Sequence, residues 1–412
     1  AVPGKCLILL KIKLLNLNIV SAPAVAFWRK LAAAENLPIS VCEFSEGYPI
    51  VVIKWAGTDP SLRSIMLNSH MDVVPADEED GWTYPPFSGH IDENGDIYGR
   101  GTQDMKSVSI QYYEALRRLK ANNITLLRDI YLTLMPDEET GAESGMIPFL
   151  ESQEFANMNV GFELDEGTSY PIPIIPVFYQ DKVVWQIEVT CYGVAAHGST
   201  FPETNATATG KCRNVIDRLL EFRDEEYIKS TAAPINDAGV YTSVNLNKLD
   251  GGVANNIIPS RVTLTFDIRL STTLNEEKFE AQLQNWISES GDNITLSFIL
   301  KNPQSPATLV GNSNPYWTAI ARAASELNVF FLPIVPPGST DARHVRNAGI
   351  PAFGLSLMPN TPLLLHSVNE RLNAETFLQG ITIYEKVIEN IANIPAHEEA
   401  DDPSYYLYNT AV

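Results

Sequence analysis

Positive charge is in short supply in this chain: 29 Lys and Arg face 50 Asp and Glu, a formal net charge of -21. Phosphate-backbone recognition needs clustered Lys and Arg, so nucleic-acid binding drops out as a function class. Cysteine is scarce as well. Cys6, Cys42, Cys191 and Cys212 form no zinc-finger spacing and are too few to staple a chain of 412 residues; a reducing, cytoplasmic compartment is the expectation. Long apolar runs are missing too, since none approaches the roughly 20 residues of a membrane span. The segment Cys6 to Val20 comes nearest to a signal peptide, but Lys11, Lys13, Asn16 and Asn18 interrupt it. Sequons at Asn123, Asn205 and Asn293 are short enough to arise by chance. The acidic stretch His397 to Asp402 reads as a solvated, frayed end.

What the chain does have is a large apolar fraction, 45%, and short polar motifs where apolar runs stop. Ser64-Ile65-Met66-Leu67 leads to His70-Met71-Asp72. Ile130 to Met135 leads to Asp137-Glu138-Glu139, and Val160 to Leu164 leads to Asp165-Glu166-Gly167. Strands apolar along most of their length suit a mostly parallel sheet covered on both faces, in which ligands bind beyond the carboxyl ends. A further motif, Gln103-Asp104-Met105, opens a helix instead: Lys106 to Lys120 places Val108, Tyr112, Ala115, Leu116 and Leu119 on one face.

The middle of the chain changes character. From Val183 to Leu300 the order is strand, helix, strand, strand, helix, strand, the ferredoxin-like split unit. Its clearest strand alternates Val262, Leu264, Phe266, Ile268 and Leu270 with polar neighbours, the mark of an antiparallel sheet covered on one face. After Asn302 helix and buried strand return, with Tyr316 to Leu327 helical and Pro351 to Leu355 apolar. The expected organisation is therefore an α/β domain built from residues 1–182 and 302–412, interrupted by an α+β domain over 183–301.

A dinuclear zinc site requires about five nitrogen and oxygen ligands, one carboxylate bridging ions roughly 3.5 to 4 Å apart. His70 and His366 supply one imidazole per ion, and Asp104, Glu139 and Glu166 supply carboxylates. Asp165 is the alternative to Glu166. Asp72 is placed to accept the other ring N–H of His70, the usual support of a ligating histidine. The adjacent Glu138-Glu139 pair lets one carboxylate bind metal while its neighbour takes a proton from the attacking water. His90, His344 and His397 stand without nameable partners, and His90 and His397 read as surface residues.

Together, Asn68-Ser69-His70-Met71-Asp72-Val73-Val74-Pro75, Tyr98-Gly99-Arg100-Gly101-Thr102-Gln103-Asp104-Met105-Lys106 and Pro136-Asp137-Glu138-Glu139 resemble the signature of the zinc-dependent aminoacylase and carboxypeptidase family. The resemblance runs from about Pro23 to Pro395. It implies hydrolysis of N-acyl-L-amino acids, with dipeptides or peptide carboxyl termini as the alternative substrates and a catalytically silent binding protein as a second alternative. It implies two zinc ions, one held by His70, Asp104 and Glu166 and one by Asp104, Glu139 and His366. Glu138 matches the general base, and Asp72 the residue orienting His70. The inserted domain matches a lid through which two copies form a homodimer. Its His197 matches a histidine that crosses to the partner's site, and Asn256 and Arg343 match substrate contacts, the arginine for the substrate carboxylate. The stretch after His366, Ser367-Val368-Asn369, is less acidic than the family pattern.

Overall fold

The computed structural model describes residues 22–233 and 238–408. The apolar segment Cys6 to Val20 lies outside the described residues. Two compact units emerge. The first takes in the described residues up to Tyr179 together with Ala307–Pro333 and Thr340–Tyr408; the second takes in Gln180–Pro306 and Ile334–Ser339.

An eight-stranded sheet forms the centre of the first unit, in the order Ile39–Glu43, Pro49–Trp55, Ile130–Met135, Ser64–His70, Val160–Asp165, Ala352–Leu355, Ile175–Phe178, Phe331–Ile334. Side chains alternate between two apolar layers. Val51, Ile53, Ile65, Leu67, Phe162 and Leu164 face a core shared with the helices Lys106–Ala121, Pro315–Leu327 and Ala374–Ala392. Ile50, Val52, Met66, Met135 and Val160 face the opposite core, with Met146, Phe149 and Phe155. Covering on both faces accounts for the continuous apolar runs.

The sheet is mixed, which corrects the expectation of a mostly parallel one. The four central strands, Ile130–Met135, Ser64–His70, Val160–Asp165 and Ala352–Leu355, run parallel to one another. Ile39–Glu43 and Pro49–Trp55 form an antiparallel hairpin whose second strand also pairs antiparallel with Ile130–Met135, and Ile175–Phe178 runs antiparallel to Ala352–Leu355. An apolar run reports that both faces are covered and carries no information on direction. The parallel centre nevertheless sends the carboxyl ends of its strands to one edge, where His70, Asp137 to Glu139 and Asp165-Glu166 emerge.

The acidic stretch near the C-terminus is not frayed. Glu399 pairs with the fully buried Arg128 at 2.7 Å and accepts from the Tyr316 hydroxyl. A buried guanidinium requires a counter-charge, and this one draws a carboxylate in from the chain's far end.

Close packing also constrains the site from behind. A Cβ on Gly354 would come within 2.1 Å of the Glu166 carbonyl oxygen and 2.9 Å of Phe178 Cβ. Gly354→Ala is accordingly expected to destabilise the protein by about 1–3 kcal/mol, read as a lowered urea midpoint. An unchanged midpoint would show that the strand ends have slack.

The second unit is a four-stranded antiparallel sheet in the order Ser243–Gly251, Arg261–Leu270, Val183–Tyr192, Ile294–Lys301. The helices Ala208–Ala232 and Glu276–Ser290 supply Val215, Leu219, Phe279, Leu283 and Ile287 to its core, against Trp185, Ile187, Leu264 and Phe266. The Arg261–Leu270 strand buries every second residue. Among the described residues no helix is long and apolar enough to cross a membrane.

Candidate metal centre

Asp104 sits between two imidazoles. His70, at the end of its strand, places Nε2 3.0 Å from Asp104 Oδ1, while His366 places Nε2 3.1 Å from Asp104 Oδ2. His366 Nε2 also lies 3.1 Å from Glu139 Oε2, and His70 Nε2 lies 3.5 Å from Glu166 Oε2. One carboxylate thus offers an oxygen to each side. Asp165 is occupied elsewhere: Oδ1 accepts from Asn68 Nδ2 at 3.1 Å and Oδ2 from the Ala342 N–H at 2.8 Å. Of the Asp165-Glu166 pair, Glu166 is the one facing His70.

The support of His70 differs in detail from the expectation. The strand stops at His70, and its Nδ1 lies 3.0 Å from the backbone carbonyl oxygen of Asp72 and 3.4 Å from the Asp72 carboxylate. The other carboxylate oxygen of Asp72 accepts the Glu139 N–H at 3.1 Å. Asp72 therefore ties the His70 strand to the turn bearing the two glutamates.

Four carboxylates crowd this pocket, and burial makes that costly without a cation. Burial, with Asp104 and then Glu138 beside it, pushes Glu166 well above the usual carboxylate range. Burial also raises Glu138 strongly and Glu139 more moderately, Asp341 and Asp104 respectively adding repulsion. Burial would raise Asp104 too, but His366 and His70 outweigh it and hold the carboxyl down. Hydrogen bonds that its ring donates to Asp104 and Glu139 push His366 up to about 10. Glu139 Oε1 is buried with no hydrogen-bond partner among the described residues. A divalent cation would relieve both the repulsion and the orphaned oxygen.

Ligand atoms cluster within 4.8 Å of one another in two groups, His70 with Glu138 and Glu166, and His70 with Asp104 and Glu139. The hard oxygen and imidazole donors of these clusters fit a dinuclear zinc site. Grouping by proximity alone shares His70 and admits Glu138, whereas the pairwise distances share Asp104 and bring in His366. A bridging carboxylate is the chemically ordinary way to share a ligand between two ions.

The sequence profile of peptidase family M20/M25/M40 matches residues 66–390. The chain belongs to that family. Among curated M20 relatives, human aminoacylase-1 is 42% identical over 373 residues, covering 90% of this chain and 91% of that protein. Aminoacylase-1 of Dictyostelium discoideum is 37% identical, covering 87% and 90%. An M20 family metallo-carboxypeptidase from Sulfolobus solfataricus shares the fold with a TM-score of 0.74 at 16% identity, covering 94% of this chain and 98% of that one.

Arg343 belongs to this M20 centre's unit. Its Nη1 lies 3.8 Å from Glu138 Oε1 and donates to the Thr340 carbonyl at 2.8 Å. His197 and Asn256 belong to the other unit, where Ala196–His197 pairs antiparallel with Ile257–Ile258 and the Gly198 N–H donates to the Asn256 carbonyl at 2.7 Å. His197 is exposed, and its Nδ1 accepts the Ser199 N–H at 3.2 Å. His90 is exposed and stacks on Tyr84, His397 is exposed, and His344 is half-buried, held down to about 3 by burial and the neighbouring Arg343.

Two residues with a place in this M20 site carried no role in the sequence reading. Arg100 and Glu370 pair at 2.8 Å directly behind Asp104. Arg100 lay in view inside the Tyr98 to Lys106 motif. Glu370 stood inside the stretch Thr361 to Arg371 that shares the family resemblance, four residues after His366, without an assigned role.

Proposed function

We propose that the chain hydrolyses the amide bond of N-acyl-L-amino acids, releasing a carboxylate and a free L-amino acid. The observation carrying this reading is the 42% identity to human aminoacylase-1 over 90% of the chain, joined to a half-buried carboxylate, Glu138, flanked by His70, Glu166 and Arg343. His70, Asp104, Glu139, Glu166 and His366 would hold two zinc ions, which when bound supply Lewis acidity for the scissile carbonyl and the attacking water. Glu138, raised by burial, takes the proton of that water and passes it to the leaving nitrogen. Arg343 presents a planar fork to the substrate carboxylate, and Asn256 approaches the substrate as well.

A cytoplasmic homodimer, formed through the smaller unit, completes the proposal. That unit exposes Tyr227, Ile228, Leu249 and Val253, apolar surface suited to a partner. His197 would cross to the partner's centre. In the tautomer whose Nδ1 accepts the Ser199 N–H, Nε2 carries the ring proton and would donate it to the developing oxyanion.

The test is a panel of substrates with and without chelator. N-acetyl-methionine should be cleaved and an unblocked dipeptide left largely intact, with turnover abolished by chelation and restored by zinc. Preference for the dipeptide would shift the assignment to a dipeptidase or carboxypeptidase. Zinc far below two ions per chain, with no cleavage of either, would point to a binding protein.

A further inference from the structure

Ligands of one ion come from distant parts of the chain, Asp104 from the loop before the Lys106–Ala121 helix and His366 from the loop before the short strand Arg371–Asn373. Neither loop has regular structure around its ligand, so its backbone groups need other partners. The fully buried Glu370 carboxylate accepts the N–H groups of Gly101 at 3.0 Å, Gln103 at 2.7 Å and Asp104 at 3.3 Å. Arg100 runs the other way. Its Nη1 donates to Glu370 at 2.8 Å and to the Ser367 carbonyl at 3.2 Å, while Nη2 donates to the His366 carbonyl at 3.2 Å. Trp82 lies against the guanidinium at 5.3 Å.

We propose that Arg100 and Glu370 are positioning residues that cross-brace the two loops and set the spacing of Asp104 and His366. His366 and Asn369 both adopt left-handed backbone, with φ of 58° and 59°, which non-glycine residues hold only when their surroundings fix them. The brace holds this stretch at both ends, at the carbonyls of residues 366 and 367 and at the Glu370 carboxylate. A buried ion pair contributes little net stability against an apolar replacement, but it fixes geometry. Here the geometry fixed is that of two of the three ligands of one ion and only one of three, Asp104, of the other. Loss of the brace therefore loosens the His366 ion first.

This inference rests on the ligand assignment above, and one experiment separates the two. Zinc-loaded full-length protein is dialysed against increasing EDTA, and zinc per chain is measured by atomic emission. The parent must begin with two ions per chain; fewer would fail the ligand assignment itself. In Glu370→Gln, one ion should leave at about 10- to 100-fold lower chelator, the other leaving as in the parent. kcat should fall with KM steady and recover in excess zinc. Arg100→Lys, which keeps the charge but loses the fork, is run alongside and should show the same one-ion loss. Adding Glu370→Gln to His366→Ala should then produce no further loss. Equal weakening of both ions in Arg100→Lys, or an unchanged titration in that variant, overturns the brace even if Glu370→Gln does not fold.

Discussion

Glu138→Gln is expected to lower kcat by about 10²–10⁴ while leaving KM and two zinc ions per chain in place. The substitution removes a proton acceptor and changes almost nothing else in shape. Glu139→Gln, one residue along, is expected to fail differently. It replaces the carboxylate whose oxygen lies 3.1 Å from His366 Nε2 with a neutral amide, a weaker ligand, and should lose zinc before it loses anything else. Measuring kcat and metal content on both variants decides between two divisions of the cluster, since Glu138 is near enough to His70 and Glu166 to stand in a metal group with them. Near-parental turnover in Glu138→Gln removes it as the base; zinc loss in that variant makes it a ligand.

The contrast also shows what the sequence makes visible. Motifs at the ends of apolar runs were legible because a strand covered on both faces is apolar along most of its length, and His70, Asp137 and Asp165 stand at or just past the last residues of these strands. Strand direction was not legible. Ile50 to Ile53 is as apolar as Ile65 to Leu67, yet its strand runs against both neighbours, the hairpin partner Ile39–Glu43 and Ile130–Met135, and burial does not record that. Partnerships between distant charges were hidden as well. Glu399 looked like part of a solvated tail, and only the fold brings Arg128 to it. Glu370 was hidden more thoroughly, since three of its partners are backbone amides and an amide has no letter in the sequence.

His197→Ala is expected to lower kcat by about 10²–10³, the usual cost of one oxyanion donor, without loss of zinc. The informative measurement is made on a mixture. Co-expressed in equal amounts with Glu138→Gln, the His197→Ala chain should recover about a quarter of parental activity per chain, because random pairing in a two-fold dimer makes half the dimers hybrid. In each hybrid, one site combines both lesions and the other combines Glu138 from one chain with His197 from its partner. Size measurement of the mixture must show dimers for the arithmetic to apply. If dimers form and the mixture is no more active than its parts, each site is complete within one chain and His197 serves its own. If no dimer forms, the exposed apolar surface of the smaller unit has another purpose, and His197 must act within its chain or have no part in the reaction.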